Sequence, residues 1–424
     1  MRNLGLLIGG KSVSGLVGLA TLALAVRTLG IETFGQLVLI HTAIQAVQTV
    51  VKFQTWQAIL RYGTPALQEG RLGDLKRLVL FTARLDVASS LAGAVVAGVG
   101  LWLFGERLGI APDKIPAAAA YGLALVFMVT ATSDGLLRLL DRFDLLIVED
   151  NVRALVRLVG SAALFVAGGG LEAFLVVWFV AVAAGGLSSV TLACVQVRRH
   201  GLWCGPAPKG PLSQGFDGLW RFVWATNATT SLDMLTNHAA TLVVGAMIGP
   251  AEAGLFRVAR QIADALAKPV KLMANVTTPE LARFIAGRRF DLLGAFIVRA
   301  LRVSFGASLA CFAALVVAGG WLLGIVGGQA TQPAYGVMLL LGAAALVTVA
   351  TFALEPTLVA SGRPTIALLI RVASAVVYLP SLVGLTYISG TQGAGVAAIA
   401  AAVATATLQA AAVWSWVHAA ARER

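Results

Sequence analysis

The chain has 424 residues, of which 58% are hydrophobic and only 12% charged. Soluble domains carry about 25% charged residues, so a soluble fold could not cover its surface with so few, and the apolar exterior must face lipid. A formal net charge of +12 would point to nucleic acid in a soluble protein, but here the basic residues fall mostly between apolar runs, which makes them a topology signal and leaves no case for a nucleic-acid partner.

A spanning helix needs about 20 mostly apolar residues. In chain order such spans are expected at 4–26, 36–60, 78–104, 116–139, 146–168, 171–195, 219–248, 254–276, 295–323, 334–360, 365–388 and 393–418. The opening segment, Met1-Arg2 followed by an apolar run with Ala23-Leu24-Ala25, has the outline of a signal peptide. Its length, the presence of Lys11 and the later counterparts of Gly30 and Gly35 favour a retained first helix instead. The weakest spans are 146–168, which opens with Glu149, Asp150 and Arg153, and 295–323, which opens with Arg299 and Arg302. No run alternates as a membrane β-strand would, so the fold class expected is an all-α integral membrane protein of about twelve transmembrane helices.

Lysine and arginine in short loops set orientation. One set of loops holds Arg61, Arg71, Lys76, Arg77, Arg138, Arg142, Arg198, Arg199, Lys209, Arg283, Arg288, Arg289 and Arg363, and the tail adds Arg422 and Arg424. The opposite set holds Arg27, Arg107 and Lys114. Both termini are therefore expected in the cytoplasm. The Pro- and Gly-rich stretch 198–218 reads as a cytoplasmic linker between two six-helix bundles, 1–197 and 219–424.

A shift of 219 residues aligns pieces of these halves. Gly30 falls on Gly249 and Gly35 on Gly254, while Gly100-Leu101-Trp102 falls on Gly319-Gly320-Trp321. An even number of spans per half gives parallel repeats, with a substrate site expected between them.

The second helix of each half carries a polar stripe. His41, Gln45, Gln48 and Lys52 share one helix face, and in the second half Arg257, Arg260, Asp264, Lys268 and Lys271 do so. Ionisable groups at bilayer depth cost a few kcal/mol or more unless they face water or a partner, so these residues are expected to line a hydrated cavity suited to an anionic head group. Interhelical pairing, or snorkelling by Arg257 and Lys271, is the structural alternative, and Asp264 is placed to pair with Arg260 or Lys268. Other intramembrane charges are Lys11, Arg84, Asp86, Asp134, Asp233, Glu355 and Arg371. Lys11 and Asp233 lie on the first helices of the two halves and could face each other across a cavity. Asp134, Asp233 and Asp264 are candidate proton or sodium sites, with structural salt bridges as the alternative, and Asp134 has Arg138 one turn away. Pro269 could bend its helix between Lys268 and Lys271. Three cysteines, Cys194, Cys204 and Cys311, form neither a disulfide framework nor a metal cluster with the four histidines, and no phosphate-binding Gly-Lys loop is present, so no enzyme activity or bound cofactor is expected.

Three short motifs carry a family resemblance: Arg27-Thr28-Leu29-Gly30 with Phe34-Gly35, Leu137-Arg138 to Arg142-Phe143-Asp144, and Gly249 to Gly254 followed by Phe256-Arg257-Val258-Ala259. With the span count, they make the chain resemble the polysaccharide-exporting flippases of the multidrug/oligosaccharidyl-lipid/polysaccharide (MOP) superfamily. The resemblance implies two pseudo-symmetric six-helix bundles in a MATE-like V shape and alternating access. The implied solute is an undecaprenyl-diphosphate-linked oligosaccharide, moved from the cytoplasmic to the periplasmic leaflet of the bacterial inner membrane. Implied partners are that lipid-linked oligosaccharide, membrane lipids and other polysaccharide-assembly membrane proteins. Peptidoglycan-precursor flippases usually have two further helices, for which this chain has no room. A multidrug extruder of the same superfamily is the first alternative, although extruders of cationic drugs would be expected to show acidic pockets. A membrane glycan polymerase or ligase is the second, although it would be expected to need a large outer loop.

Overall fold

The structure, a computed structural model, describes residues 2–203, 210–265, 290–361 and 363–422. Cys204, Lys209, Lys268, Pro269, Lys271, Arg283, Arg288, Arg289 and Arg424 lie outside these residues, and the side chains of Lys11 and Asp233 are likewise undescribed. All regular structure among the described residues is helical.

The helices are α1 (Arg2–Val51), α2 (Thr55–Ala58), a π-helical turn (Ile59–Gly63), α3 (Thr64–Gln68), α4 (Leu72–Phe104), α5 (Ile115–Tyr121), α6 (Leu125–Met128), α7 (Ala131–Leu139), α8 (Phe143–Ala167), α9 (Leu171–Arg199) and α10 (Leu219–Met247). They continue as α11 over 250–265, α12 (Phe290–Gly327), α13 (Ala334–Ala350), α14 (Leu354–Ala360) and α15 (Pro364–Arg422). Seven helical stretches among the described residues are long and apolar enough to cross a membrane. Two of them, Val17–Gln68 and Thr365–Trp416, run to 52 residues each. The first is kinked at Gly30 (φ 72°, ψ 168°) and the second at Ser389–Gly390. The chain is thus an all-helical, multi-pass membrane protein.

By contacts the chain divides into two units, residues 1–238 and 239–424. In the first, α8 packs on α9 and α1, and α4 packs on α1, α5 and α6. Its centre is the second segment of α1, where Leu37, Leu39, Ile40 and Ile44 are fully buried. In the second unit α13 packs on α12 and α15, and α14 lies on α15. Glu355 of α14 pairs there with Arg371 of α15, and Gln409 donates to the other carboxylate oxygen, so two intramembrane charges named from sequence compensate each other. Large apolar side chains stand exposed on the outer faces, among them Val95 and Leu103 of α4, Val159 and Val166 of α8, and Val376 and Val377 of α15. This is the inverse of a water-facing surface and the expected dress of a lipid-facing one.

The shift of 219 residues can be compared unit by unit. Gly30 and Gly249 (φ 135°) both hold positive φ, a region open to glycine at no steric cost. The buried positions Leu37, Leu39, Ile40 and Ile44 correspond to Phe256, Val258, Ala259 and Ala263, all buried as well. Trp102 and Trp321 are both exposed at the ends of their helices.

Two spans differ from their sequence outlines. The expected span 36–60 breaks at Lys52-Phe53-Gln54, and the expected span 116–139 breaks at Val129–Thr130. Neither break contains Gly or Pro, and both are explained by the side chains that meet them.

Candidate functional site

The polar stripe of α1 leads into the first break. His41 is buried, with Nδ1 2.9 Å from the Tyr121 hydroxyl and its ring edge-on to Trp178 at 4.8 Å. Gln45 is half-buried. Gln48 donates from Nε2 to the Met128 carbonyl at 3.0 Å, capping the end of α6 where the second break frees that oxygen. The last carbonyls of α1 are met in the same way: Ser231 donates to Thr49 O at 2.8 Å and Asn227 to Val50 O at 3.0 Å. Lys52 sits in the first break, half-buried.

Asp86 of α4 joins the two breaks. Its Oδ1 accepts from Thr55 Oγ1 at 3.0 Å, in the first turn of α2, and its Oδ2 accepts from the Thr132 backbone N–H at 2.8 Å, in the first turn of α7. An anion at a helix N-terminus meets free N–H groups and the positive end of the helix dipole. Lys52 acts electrostatically on both Asp86 and Asp134. Sequence reasoning named Asp86 as an intramembrane charge but gave it no role. The available signal was its company, since Thr82, Arg84, Ser89 and Ser90 surround it in the otherwise apolar run 78–104.

Asp134, the candidate ion-coupling residue of α7, is half-buried. Arg138, one turn on, makes no contact ion pair with it among the described residues. Its guanidinium lies 4.0 Å over the Trp56 ring instead. The flat cation stacks on an aromatic face brought up by α2, which the i, i+4 spacing could not anticipate.

In the second unit α11 carries the basic stripe as far as Asp264. Arg257 and Arg260 are half-buried, and Arg260 Nε approaches Asp264 Oδ2 at 3.8 Å, with the Asp264 side chain 46% exposed. Of the two partners the sequence offered Asp264, Arg260 is thus in place.

Outside the spans, the loop before α8 is fixed by Arg142. It holds Asp144 through two bonds of 2.9 and 2.7 Å and donates a third, of 3.0 Å, to Gln196 near the end of α9. The bond from Arg142 keeps the Asp144 carboxyl below its usual range.

The family described as "Polysaccharide biosynthesis protein" matches residues 1–285. "Inner membrane protein YghQ" of Escherichia coli (strain K12) is 32% identical over 287 residues, covering 67% of this chain and 80% of that protein. An inward-facing multidrug resistance MATE family transporter of the MOP superfamily superposes with a TM-score of 0.79 at 14% identity, over 96% of each chain. Lipid II flippase MurJ, in an inward closed conformation, gives 0.77 at 10% identity, over 96% of this chain and 87% of that one. A MOP superfamily transporter from Pyrococcus furiosus, described as having a binding pocket of reverse polarity, gives 0.64 at 12% identity over 98% of each chain. At these identities the structural likeness is one of fold.

Proposed function

Since the chain belongs to the polysaccharide biosynthesis protein family, on the transporter fold of the MOP superfamily, we propose that it flips a polyprenyl-diphosphate-linked oligosaccharide across the bacterial inner membrane. The solute is the repeat unit of a polysaccharide or O-antigen, and the mode is alternating access. The observation that supports this reading most is the basic face of α11 at membrane depth, in a chain of this family. On that face Arg260 approaches the carboxylate of Asp264 at 3.8 Å, Arg257 stands one turn before Arg260 in sequence, and Lys268 and Lys271 continue the same face in sequence. Arginine suits bidentate phosphate contact and lysine acts as a point charge.

The reading includes twelve spans in two similar halves, 1–197 and 219–424, joined by a cytoplasmic linker, with both termini in the cytoplasm. The 52-residue stretch Thr365–Trp416 is about 78 Å of helix at about 1.5 Å per residue, and the 50 residues of α1 about 75 Å, each enough to cross a core of about 30 Å twice, and each carries its kink near the expected turn. Asp134, Asp233 and Asp264 are the candidates for proton or sodium coupling.

The test is to delete the protein from its host and analyse polyprenyl-linked oligosaccharides. Completed repeat units should accumulate in the cytoplasmic leaflet, and Arg260→Ala should restore transport poorly while reaching the membrane at normal levels. Unchanged lipid-linked intermediates together with altered drug tolerance would replace this reading with that of an extruder.

A further inference from the structure

The inward face of α8 has more hydrogen-bond donors than the described residues supply acceptors for. Glu149, Arg153, Arg157 and Ser161 follow one another at intervals of four and form a single stripe on that helix. Leu155 and Val159, on the opposite side, are 59% and 60% exposed and mark the outer face. On its other sides α8 packs on α9 and α1, and Arg157 of the stripe meets the Trp178 ring of α9.

Glu149 takes one arm of Arg153. Arg157 has no carboxylate among the described residues. Its guanidinium stacks 4.3 Å over the Trp178 ring, and the groups that act on it electrostatically are Tyr121 and Arg153. Four donors in this region are buried without an acceptor: Nε of Arg153, Nε of Arg157, Oγ of Ser161 and Nε1 of Trp178. Ser161 is fully buried and Trp178 is 7% exposed. Buried polar atoms are paired in the great majority of cases, so four unmet donors within three turns of one helix and its neighbour call for an occupant rather than for chance.

We propose that this face of the first unit is a separate anion site, which takes a phosphate or diphosphate group. The donors come from two helices and differ in kind, with two guanidinium groups one turn apart, a hydroxyl and an indole N–H, and the ring that carries the last of them touches the Arg157 guanidinium. A carboxylate offers two coplanar oxygens and saturates one guanidinium. A tetrahedral oxyanion offers acceptors in several directions and answers donors on both α8 and α9, and a second phosphoryl group spans the turn from Arg157 to Arg153. The Trp178 ring against the Arg157 guanidinium supplies the apolar wall. The same chemistry is available from free diphosphate or from a phosphorylated lipid head group.

The test uses purified full-length protein carrying Arg260→Ala, so that binding on α11 does not mask the result. One arm titrates inorganic diphosphate by calorimetry. The other measures binding in phosphatidylcholine nanodiscs with and without a polyprenyl phosphate, by native mass spectrometry. Binding in the first arm, or in the second alone, assigns the source as free anion or lipid head group. In the arm that binds, Arg157→Gln should weaken affinity about tenfold or more and Trp178→Phe by a smaller factor. Arg157→Gln should also melt no lower than its parent, since it removes an uncompensated charge. If Arg157→Gln does not fold, Trp178→Phe decides alone. No binding in either arm, or binding unchanged by both substitutions, overturns the site. The flippase reading rests on glycan intermediates in cells and on Arg260, so either proposal can fail without the other.

Discussion

Asp86 offers the sharpest test of how the first unit holds its broken helices. Asp86→Ala removes both acceptors at once and strands the Thr55 hydroxyl and the Thr132 N–H in the interior. A hydrogen bond to a charged group contributes about 1.5–3 kcal/mol, so losing two should cost about 3–6 kcal/mol. Asp86→Asn should behave differently. Its amide oxygen can take over the fixed N–H donor of Thr132, and its NH2 can donate to the Thr55 hydroxyl, which accepts as readily as it donates. That substitution should cost about 1 kcal/mol or less. The assay is thermal unfolding of purified protein in detergent, followed by loss of the monodisperse peak on size exclusion. Asp86→Asn as damaging as Asp86→Ala would mean that Asp86 serves as the counter-charge of Lys52, not as an acceptor for two helix starts, and the reasoning would fail.

Three further outcomes are expected in the same assay. A β-carbon at Gly186 would stand 2.2 Å from the Phe127 carbonyl oxygen, whereas one at Gly100 meets nothing within 4 Å; Gly186→Ala should therefore cost about 1–3 kcal/mol by overpacking and Gly100→Ala almost nothing. Gly30→Ala should cost about 1–3 kcal/mol, because φ 72° with ψ 168° is a conformation that side chains resist. The depressed carboxyl of Asp144 stabilises the fold above its unfolded-state value of about 3.9 and loses that contribution as pH falls through the lower folded-state value. The pair is half-exposed, so the loss should be small, and Arg142→Ala should abolish that part of the acid sensitivity in melts taken from about pH 5 down to about pH 3.

Composition and span length were legible in the sequence because lipid leaves so few alternatives: apolar runs must be helices, and the kinks fall at Gly30 and Ser389–Gly390 between expected spans. The breaks at 52–54 and 129–130 were not legible. They contain no helix breaker, and what stabilises them comes from elsewhere in the chain, through Gln48, Asp86, Asn227 and Ser231. Arg138 shows the same limit. Spacing along one helix offers Asp134, but the ring of Trp56 arrives from another helix and takes the cation. Of the charges that made 146–168 one of the two weakest spans, Glu149 and Arg153 lie on the inward stripe of α8 while Asp150 is exposed, so two of the residues that weakened the reading of a helix also marked its polar side.

The first unit therefore holds two polar regions whose hydrogen-bond accounts differ. At the breaks, freed carbonyls and N–H groups find side chains from neighbouring helices, and Asp86 accepts from two of them. Unwound backbone at membrane depth persists only where its polar groups are met in this way, so this region should respond to substitution through stability. On α8 the account stays open, because Arg157 and three neighbouring donors find no acceptor among the described residues. Arg157→Gln there should leave stability nearly unchanged and alter what the protein holds. Measuring melting and anion binding on the same variants separates the two regions: Asp86→Ala should move the first quantity and Arg157→Gln the second.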